Sequence, residues 1–213
     1  ENASLVPWMI LIAVLHTMVI YKATGHSLKA SYIFCFLTLA FILYSTFLTK
    51  TGILGDSSVH SFTDPGMATN ILIGFFVSLF SITPLVYFFI HSKKIPQELK
   101  EERLDSREFW MFIGSLVFFL SAMFIIAKTS IPVYNKIFGS HIAEPEDREF
   151  SYNKVMIMVA IIIGTLTAIT QYFKYKQTPS TYTIKKIALP TLTAAIITAL
   201  LAVFYHLRIL SKG

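Results

Sequence analysis

Residues 65–92 read PGMATNILIGFFVSLFSITPLVYFFIHS, and no Asp, Glu, Lys or Arg occurs in these 28 positions. A helix that rises ~1.5 Å per residue needs about 20 apolar residues to cross the ~30 Å hydrocarbon core of a bilayer. Five further windows of 19 to 21 residues also lack these charges: 2–21, 30–49, 109–127, 155–173 and 187–207. The chain is therefore predicted to be an all-α, polytopic membrane helix bundle with about six transmembrane helices.

The overall composition excludes several other classes of protein. Of 213 residues, 54% are hydrophobic and 14% are charged, whereas roughly a quarter of the residues in a soluble domain are charged. Soluble, disordered and nucleic-acid-binding domains are thereby excluded, and the net charge of +6 is assigned to loops beside a membrane. Cys35 is the only cysteine and lies inside the second window, so a CxxC pair, a thiolate cluster and an internal disulfide are also excluded.

The distribution of Lys and Arg predicts the orientation of the bundle. Loops 22–29, 93–108 and 174–186 hold 11 of these residues, whereas loops 50–64 and 128–154 hold 5. The positive-inside rule places the first set in the cytoplasm and both chain ends outside. Because the chain starts at Glu1 without a methionine, and its first window lacks the features of a signal peptide, we expect an internal segment of a longer membrane protein.

His16 is the first candidate functional residue, because it lies within the otherwise apolar first window. A polar group in hydrocarbon is costly unless it is paired. Two interpretations are open: an axial ligand to a haem iron, or a buried histidine bonded to a neighbouring helix. His206 is excluded as a partner, since the two lie at depths that differ by about 20 Å along untilted helices.

The other histidines are weaker candidates for a functional role. His26 and His91 lie at the cytoplasmic edge, where a surface role is expected. His141 lies in an outer loop beside Glu144, Glu146, Asp147 and Glu149, for which a solvated loop is favoured over a site for a basic partner such as a cytochrome.

His60 is the second candidate, and it lies in the outer loop TGILGDSSVHSFTDPG, residues 51–66. Gly52 and Gly55 permit tight turns, and the apolar Ile53, Leu54, Val59 and Phe62 could press the loop against the bilayer surface. Such a loop could hold a flat apolar cofactor at the interface. From spacing alone, an ordinary capped loop is the alternative.

A resemblance to a known family makes these candidates specific. The opening ENASLVPW, the tripeptide Leu15-His16-Thr17, and TGIL at 51–54 followed by SVHSFTDP at 58–65 resemble the CcmF/NrfE/CycK family of cytochrome c-type biogenesis proteins. In that family the Glu-Asn-Ala-Ser stretch follows the tryptophan-rich motif WGGWWxWDPVENAS. The family usually has Arg-Ser-Gly-Val where this chain has residues 49–53, TKTGI, so no role of that arginine is carried over.

The resemblance implies a role for each of the two histidines. His60 matches a periplasmic histidine that is an axial ligand to the haem presented for attachment, which makes it the candidate catalytic residue. His16 matches a transmembrane histidine that holds a separate haem b. The resemblance places their partner ligands upstream of Glu1 and downstream of Gly213.

The resemblance also implies the wider function. It predicts cytochrome c maturation by a haem lyase complex in the bacterial inner membrane, with haem, a haem chaperone, other maturation subunits, apocytochrome c and membrane lipid as partners and no nucleic acid. Residues 1–67 would form the end of the tryptophan-rich haem-handling region, with two spans and the outer ligand loop, and residues 68–213 would add four helices. A haem exporter or another membrane transporter is the alternative, although the spans lack the ionisable residues typical of coupled transport. An electron-transfer subunit would need two histidines at matched depth.

Overall fold

The computed structural model describes residues 2–54, 66–96, 102–143 and 145–210, without the side chains at 3, 148, 183, 184, 187 and 206–210. This part of the chain is helical and holds no strand. The helices are α1 (Asn2–Thr24), α2 (Leu28–Lys50), α3 (Met67–His91), α4 (Arg107–Thr129), α5 (Ile131–Phe138), α6 (Arg148–Thr170), α7 (Ser180–Thr183) and α8 (Leu189–Leu210). A 3₁₀ turn at Ser92–Lys94 follows α3, and a π-helical turn at Ile184–Ala188 precedes α8.

The predicted class of fold, an all-α membrane helix bundle, is confirmed. In the described chain, five helices are long and apolar enough to cross a membrane: α1, α2, α3, α4 and α6. The sixth charge-free window corresponds to α8, whose described apolar part is the shorter stretch Leu189–Tyr205. This stretch starts later than the window because residues 184–188 form the π-helical turn.

Helix α6 begins seven residues before its charge-free window. Its N-terminus is set by Asp147, whose side chain accepts a hydrogen bond from the Phe150 N–H at 2.8 Å. A carboxylate at this position satisfies a backbone donor that the first helical turn leaves open. The helix therefore starts at a polar cap, a position that a search for charge-free windows passes over.

Helix α1 occupies the centre of the bundle. It packs between α2 and α4, while α3 packs against α2 and α6 packs against α4. One face of α1 is fully buried, at positions that repeat every three or four residues; it comprises Val6, Ile10, Ala13, Thr17 and Ile20. Much of the buried apolar core consists of residues from α1, α2 and α4.

Contacts between connecting segments place them at two opposite ends of the bundle. At one end, His26 Nδ1 lies 3.8 Å from Glu102 Oε1, and the Arg107 N–H donates to the Lys174 carbonyl at 3.0 Å. We call this the basic end, because it carries the described parts of the segments 22–29, 93–108 and 174–186. At the other end, the Tyr44 hydroxyl donates to Ser130 Oγ at 2.7 Å. The two sets of loops therefore separate as predicted.

A buried carboxylate joins two segments at the basic end. Glu108, only 3% exposed, accepts the Lys176 N–H through Oε1 at 2.8 Å and Oε2 at 3.0 Å. Lys176 has a left-handed φ of 69°, which a side chain-bearing residue rarely adopts without support. The Arg107 guanidinium lies 5.4 Å from the centre of the Tyr175 ring. The start of α4 thus holds the segment that follows α6.

Glu108→Ala removes both acceptors of the Lys176 N–H, so we expect the free energy of unfolding to fall by about 1–3 kcal/mol. Thermal unfolding in detergent measures this change, and amide exchange at Lys176 should accelerate. Glu149→Ala is the matched control, because Glu149 is also the second residue of its helix but is exposed; its effect should stay within about 0.5 kcal/mol. Equal losses in the two variants would contradict this role of Glu108.

Candidate functional site in the membrane bundle

His16 lies on the central helix α1 and is half-buried. Its Nδ1 lies 2.8 Å from the carbonyl oxygen of Ile12, one turn earlier in the same helix. Its ring centroid is 6.1 Å from that of Phe118 on α4. Within the described residues, the hydrogen bond of His16 therefore stays inside α1 and does not reach a neighbouring helix.

The hydrogen bond to Ile12 determines which ring nitrogen of His16 is available to a ligand. A carbonyl oxygen only accepts, so Nδ1 carries the proton in the neutral ring, and Nε2 keeps its lone pair. Within the described residues, no hydrogen bond to Nε2 is present. A histidine that donates from one nitrogen to a carbonyl and offers the other is the usual form of a metal-ligating imidazole.

His16 lines a cleft between three helices. The cavity volume is about 60 Å³, and the cleft is open on one side. Its lining is mainly apolar: His16 from α1; Trp110, Met111, Gly114 and Phe118 from α4; and Ile163, Leu166, Thr167 and Thr170 from α6. Residues 110, 114 and 118 of α4 and residues 163, 167 and 170 of α6 are spaced by three or four positions, so each helix presents one face to the cleft.

Gly114 leaves room in the cleft wall. Apart from its chain neighbours and the nearby backbone of its own helix, no described heavy atom lies within 4 Å of where its Cβ would stand. Nothing in the local backbone requires glycine there, since Gly114 lies within the regular helix α4. Gly114, Trp110 and Thr167 are not among the residues predicted from the sequence; the spacing Trp110-Gly114-Phe118 is the signal that could have indicated a shared face.

The segment after α6 covers the basic end of this cleft. The ring centroid of Phe173 lies 6.5 Å from that of Trp110, and the Tyr175 hydroxyl lies 3.9 Å from Met111 Sδ. Both Trp110 and Met111 line the cleft. The link between Glu108 and Lys176 therefore also holds the segment that closes this end.

The described structure brings no second histidine into the cleft. His91 ends α3, where Nδ1 lies 3.0 Å from the Tyr87 carbonyl and the ring stacks on Tyr87 at 4.2 Å. His26 pairs with Glu102 at the basic end. Among the described residues, no group of three or more His, Cys, Asp or Glu side chains could hold a metal ion. His16 is therefore the imidazole that this part of the chain offers to the cleft.

The carboxyl group of Glu102, which lies beside His26, has a shifted pKa. Burial raises the pKa of Glu102 above its ordinary value, the charge of His26 opposes this increase, and Glu108 adds to it. A raised pKa means that the folded state favours the protonated carboxyl, so stability falls as pH rises from the unfolded-state pKa through the folded-state pKa. The pair connects the loop after α1 to the loop before α4, and neither residue lines the cleft.

His60 lies outside the described residues, as does the rest of segment 55–65. The residues before it are described: Gly52 turns the chain with φ 68°, and the Thr51 hydroxyl donates to the Phe47 carbonyl at 2.8 Å. Leu54 is 7% exposed and belongs to the buried core. The expectation that Leu54 presses on the bilayer surface is wrong, because the turn at Gly52 returns the chain to the bundle.

The chain is similar to cytochrome c-type biogenesis proteins. It is 24% identical over 204 residues, or 95% of this chain, to CcmF of Pseudomonas fluorescens, and 26% identical over 204 residues, or 93%, to CcmF of Pseudomonas aeruginosa. It is 27% identical over 139 residues, or 65%, to ccl1 of Rhodobacter capsulatus.

These similarities confirm the resemblance to CcmF-type proteins that the sequence motifs indicated. The chain spans 29% of the length of the two CcmF relatives and 20% of that of the Rhodobacter protein. No protein-family model matches the chain, and no solved structure matches it significantly.

Proposed function

We propose that this chain is a haem-handling part of a cytochrome c maturation protein, in which His16 supplies an axial nitrogen to a haem b in the cleft. The observation that carries this proposal is the geometry of His16: its Nδ1–H is bonded to Ile12, and its Nε2 is open beside an apolar cleft. The similarity to CcmF proteins, which covers 95% of this chain in one case, supports the choice of haem.

The chemical character of the residues that line the cleft suits a porphyrin. A neutral imidazole is a common axial ligand of haem iron, and Phe118, Ile163 and Leu166 offer an apolar wall to a flat macrocycle. The cavity of about 60 Å³ is smaller than a macrocycle, so the ring must use the open side of the cleft. Bound haem would supply one-electron redox chemistry at this position.

The chain's own residues would orient and shield this ligand. The Ile12 carbonyl holds the His16 ring by Nδ1 and leaves Nε2 available to a ligand. Burial of α1 between α2 and α4 fixes the depth of the ring in the membrane. Phe173 and Tyr175, held through Glu108, would limit the access of water from the basic end, which we assign to the cytoplasm.

We further propose that His60 binds a second haem, which is the substrate for attachment, on the periplasmic side. In this reaction each of the two thiols of an apocytochrome CxxCH segment adds across one haem vinyl group. One S–H bond and one C=C π bond are lost, and one C–S and one C–H bond form, so no oxidant is consumed. Holding the haem near the thiols contributes proximity and orientation, and no catalytic carboxylate is needed.

The setting we propose is a haem lyase complex in the bacterial inner membrane. Its partners would be a haem chaperone, other maturation subunits and apocytochrome c. The five long apolar helices support a multi-pass membrane location, and the names of the relatives support cytochrome c biogenesis.

His16→Ala in the intact membrane protein should abolish the haem b absorbance of the purified protein, because it removes the axial nitrogen. The measurement is the reduced-minus-oxidised spectrum per mole of protein. His91→Ala is the matched control, since His91 also bonds to the carbonyl four residues earlier but lies at the end of α3. A normal haem b spectrum in His16→Ala would refute the assignment.

Gly114→Leu should also lower the haem b content, because the new side chain occupies the cleft. The fold should persist, since the space at the Cβ position is open, and replacing a helical glycine favours the helix by up to about 1 kcal/mol. Gly164→Leu on α6 is the matched control: its Cβ position is equally open, but Gly164 does not line the cleft. Haem content and thermal unfolding would be measured for both variants. Full haem loading in a folded Gly114→Leu variant would show that the ligand lies elsewhere.

His60→Ala should abolish the accumulation of covalent cytochrome c in cells, because the haem substrate loses a ligand at the periplasmic side. The haem b absorbance from the His16 site should persist, so the two sites are tested separately. Haem-stained gels of a reporter cytochrome c measure the yield, with Ser58→Ala as the control in the same loop. Normal yield in His60→Ala would disprove the proposed role of His60.

A further inference from the structure

A short helix that is not predicted from the sequence lies at the end of the bundle opposite the basic end. Helix α5, Ile131–Phe138, follows the transmembrane helix α4 after the single residue Ser130. Pro132 lies in its first turn, where proline is well tolerated, and Gly139 ends it with a left-handed φ of 60°. Because the candidate membrane span of α4 ends at Thr129, α5 begins directly beyond the end of that span.

The helix is amphipathic. At about 100° per residue, Val133, Ile137, Tyr134 and Phe138 fall on one continuous arc, and Asn135 and Lys136 fall on the other side. One edge of the apolar arc packs on the bundle through Val133, a residue of the buried core. The rest of the arc is open: Ile137 is 66% exposed and Phe138 is 76% exposed.

The chain after α5 is held against the helix by one side chain. Asn135 Oδ1 accepts the Ser140 hydroxyl at 2.8 Å and the Ile142 N–H at 3.0 Å. Asn135 Nδ2 donates to the Ile142 carbonyl at 2.9 Å. These three bonds fix the exposed Ile142 beside α5, which adds a further apolar side chain at this level.

We propose that α5 lies in the outer interface of the lipid bilayer, with Ile137 and Phe138 among the acyl chains and Lys136 among the lipid phosphates. The position of the helix favours lipid as the occupant of its apolar face. Only Ser130 separates α5 from the candidate span α4, and the chain after α5 leads into the candidate span α6, so α5 belongs to a segment that connects two spans outside the hydrocarbon. A basic residue on the opposite side from the apolar residues is typical of helices that bind this interface.

This contact would also fix the depth of the C-terminal end of α2. Leu54 and Val133 belong to the same buried core, and the Tyr44 hydroxyl donates to Ser130 Oγ at 2.7 Å just before α5. The end of α2 is thereby tied to α5. A helix seated in the interface would hold the end of α2, and the point where the chain leaves it, at a constant depth.

Spin labelling tests the proposal. Single cysteines at Ile137, Phe138 and Lys136 would be introduced into the intact protein on a Cys35→Ser background and labelled with a nitroxide. The protein would be placed in vesicles of phosphatidylcholine and phosphatidylglycerol. The measurement is the collision rate of each label with oxygen, which concentrates in lipid, and with a water-soluble nickel chelate. Lys136 is the matched control, because it lies on the same helix but on its polar side.

The labels at 137 and 138 should collide more with oxygen than with the chelate, and the label at 136 should show the reverse. Greater collision with the chelate at 137 and 138 would overturn the proposal, because it would place this face in water. Low collision with both reagents would overturn it as well, since a protein segment or a haem would then cover the face. The test does not depend on His16 or His60, and unfolded samples are identified by circular dichroism.

Discussion

The close packing of one helix between two others determines the rest of this structure. A single face of α1 is buried against α2 and α4, and five of its residues, Val6, Ile10, Ala13, Thr17 and Ile20, are completely inaccessible. Inside a bilayer, lipid chains are as apolar as the side chains, so helices associate through the fit of their surfaces and through hydrogen bonds. The fit along α1 therefore fixes where α2 and α4 stand, and α3 and α6 follow from them.

The candidate site follows from the same arrangement. His16 is one residue away from the fully buried Thr17, so its side chain lies at the edge of the packed face and reaches the space between α1, α4 and α6. At this edge the ring is shielded from water while one nitrogen stays open. A histidine on the packed face itself would have no room for a ligand, and one on the opposite face would meet lipid.

The sequence predicts those features of the fold that depend on polarity. Charge-free windows locate five long helices, and the basic loops separate to one end, because the cost of a charge in hydrocarbon applies to every residue alike. The windows miss the start of α6 at Asp147, because the capping carboxylate is charged and falls outside any charge-free window. They also miss the whole of α5, because this short amphipathic helix contains the charged Lys136.

The site is predictable only in part, for a related reason. His16 stands out because it is a polar residue in an apolar span, whereas Gly114, Met111 and Leu166 resemble any other membrane residues until three helices bring them together. Leu54 shows the same limit: its hydrophobicity is evident, but whether it meets lipid or protein depends on a turn at Gly52. Whether these residues line the cleft, meet lipid or join the core depends on tertiary packing, which the polarity of the sequence does not encode.

The hydrogen bond between His16 and Ile12 has a consequence for the coupling between a ligand and the bundle. Because the ring is oriented by the backbone of its own helix, its direction changes whenever α1 rotates about its axis. A ligand that requires one ring direction thus binds one rotational state of α1 more tightly than the others. By thermodynamic linkage, such binding shifts α1 toward that rotational state, and packing that favours the same state raises the affinity for the ligand by the same factor.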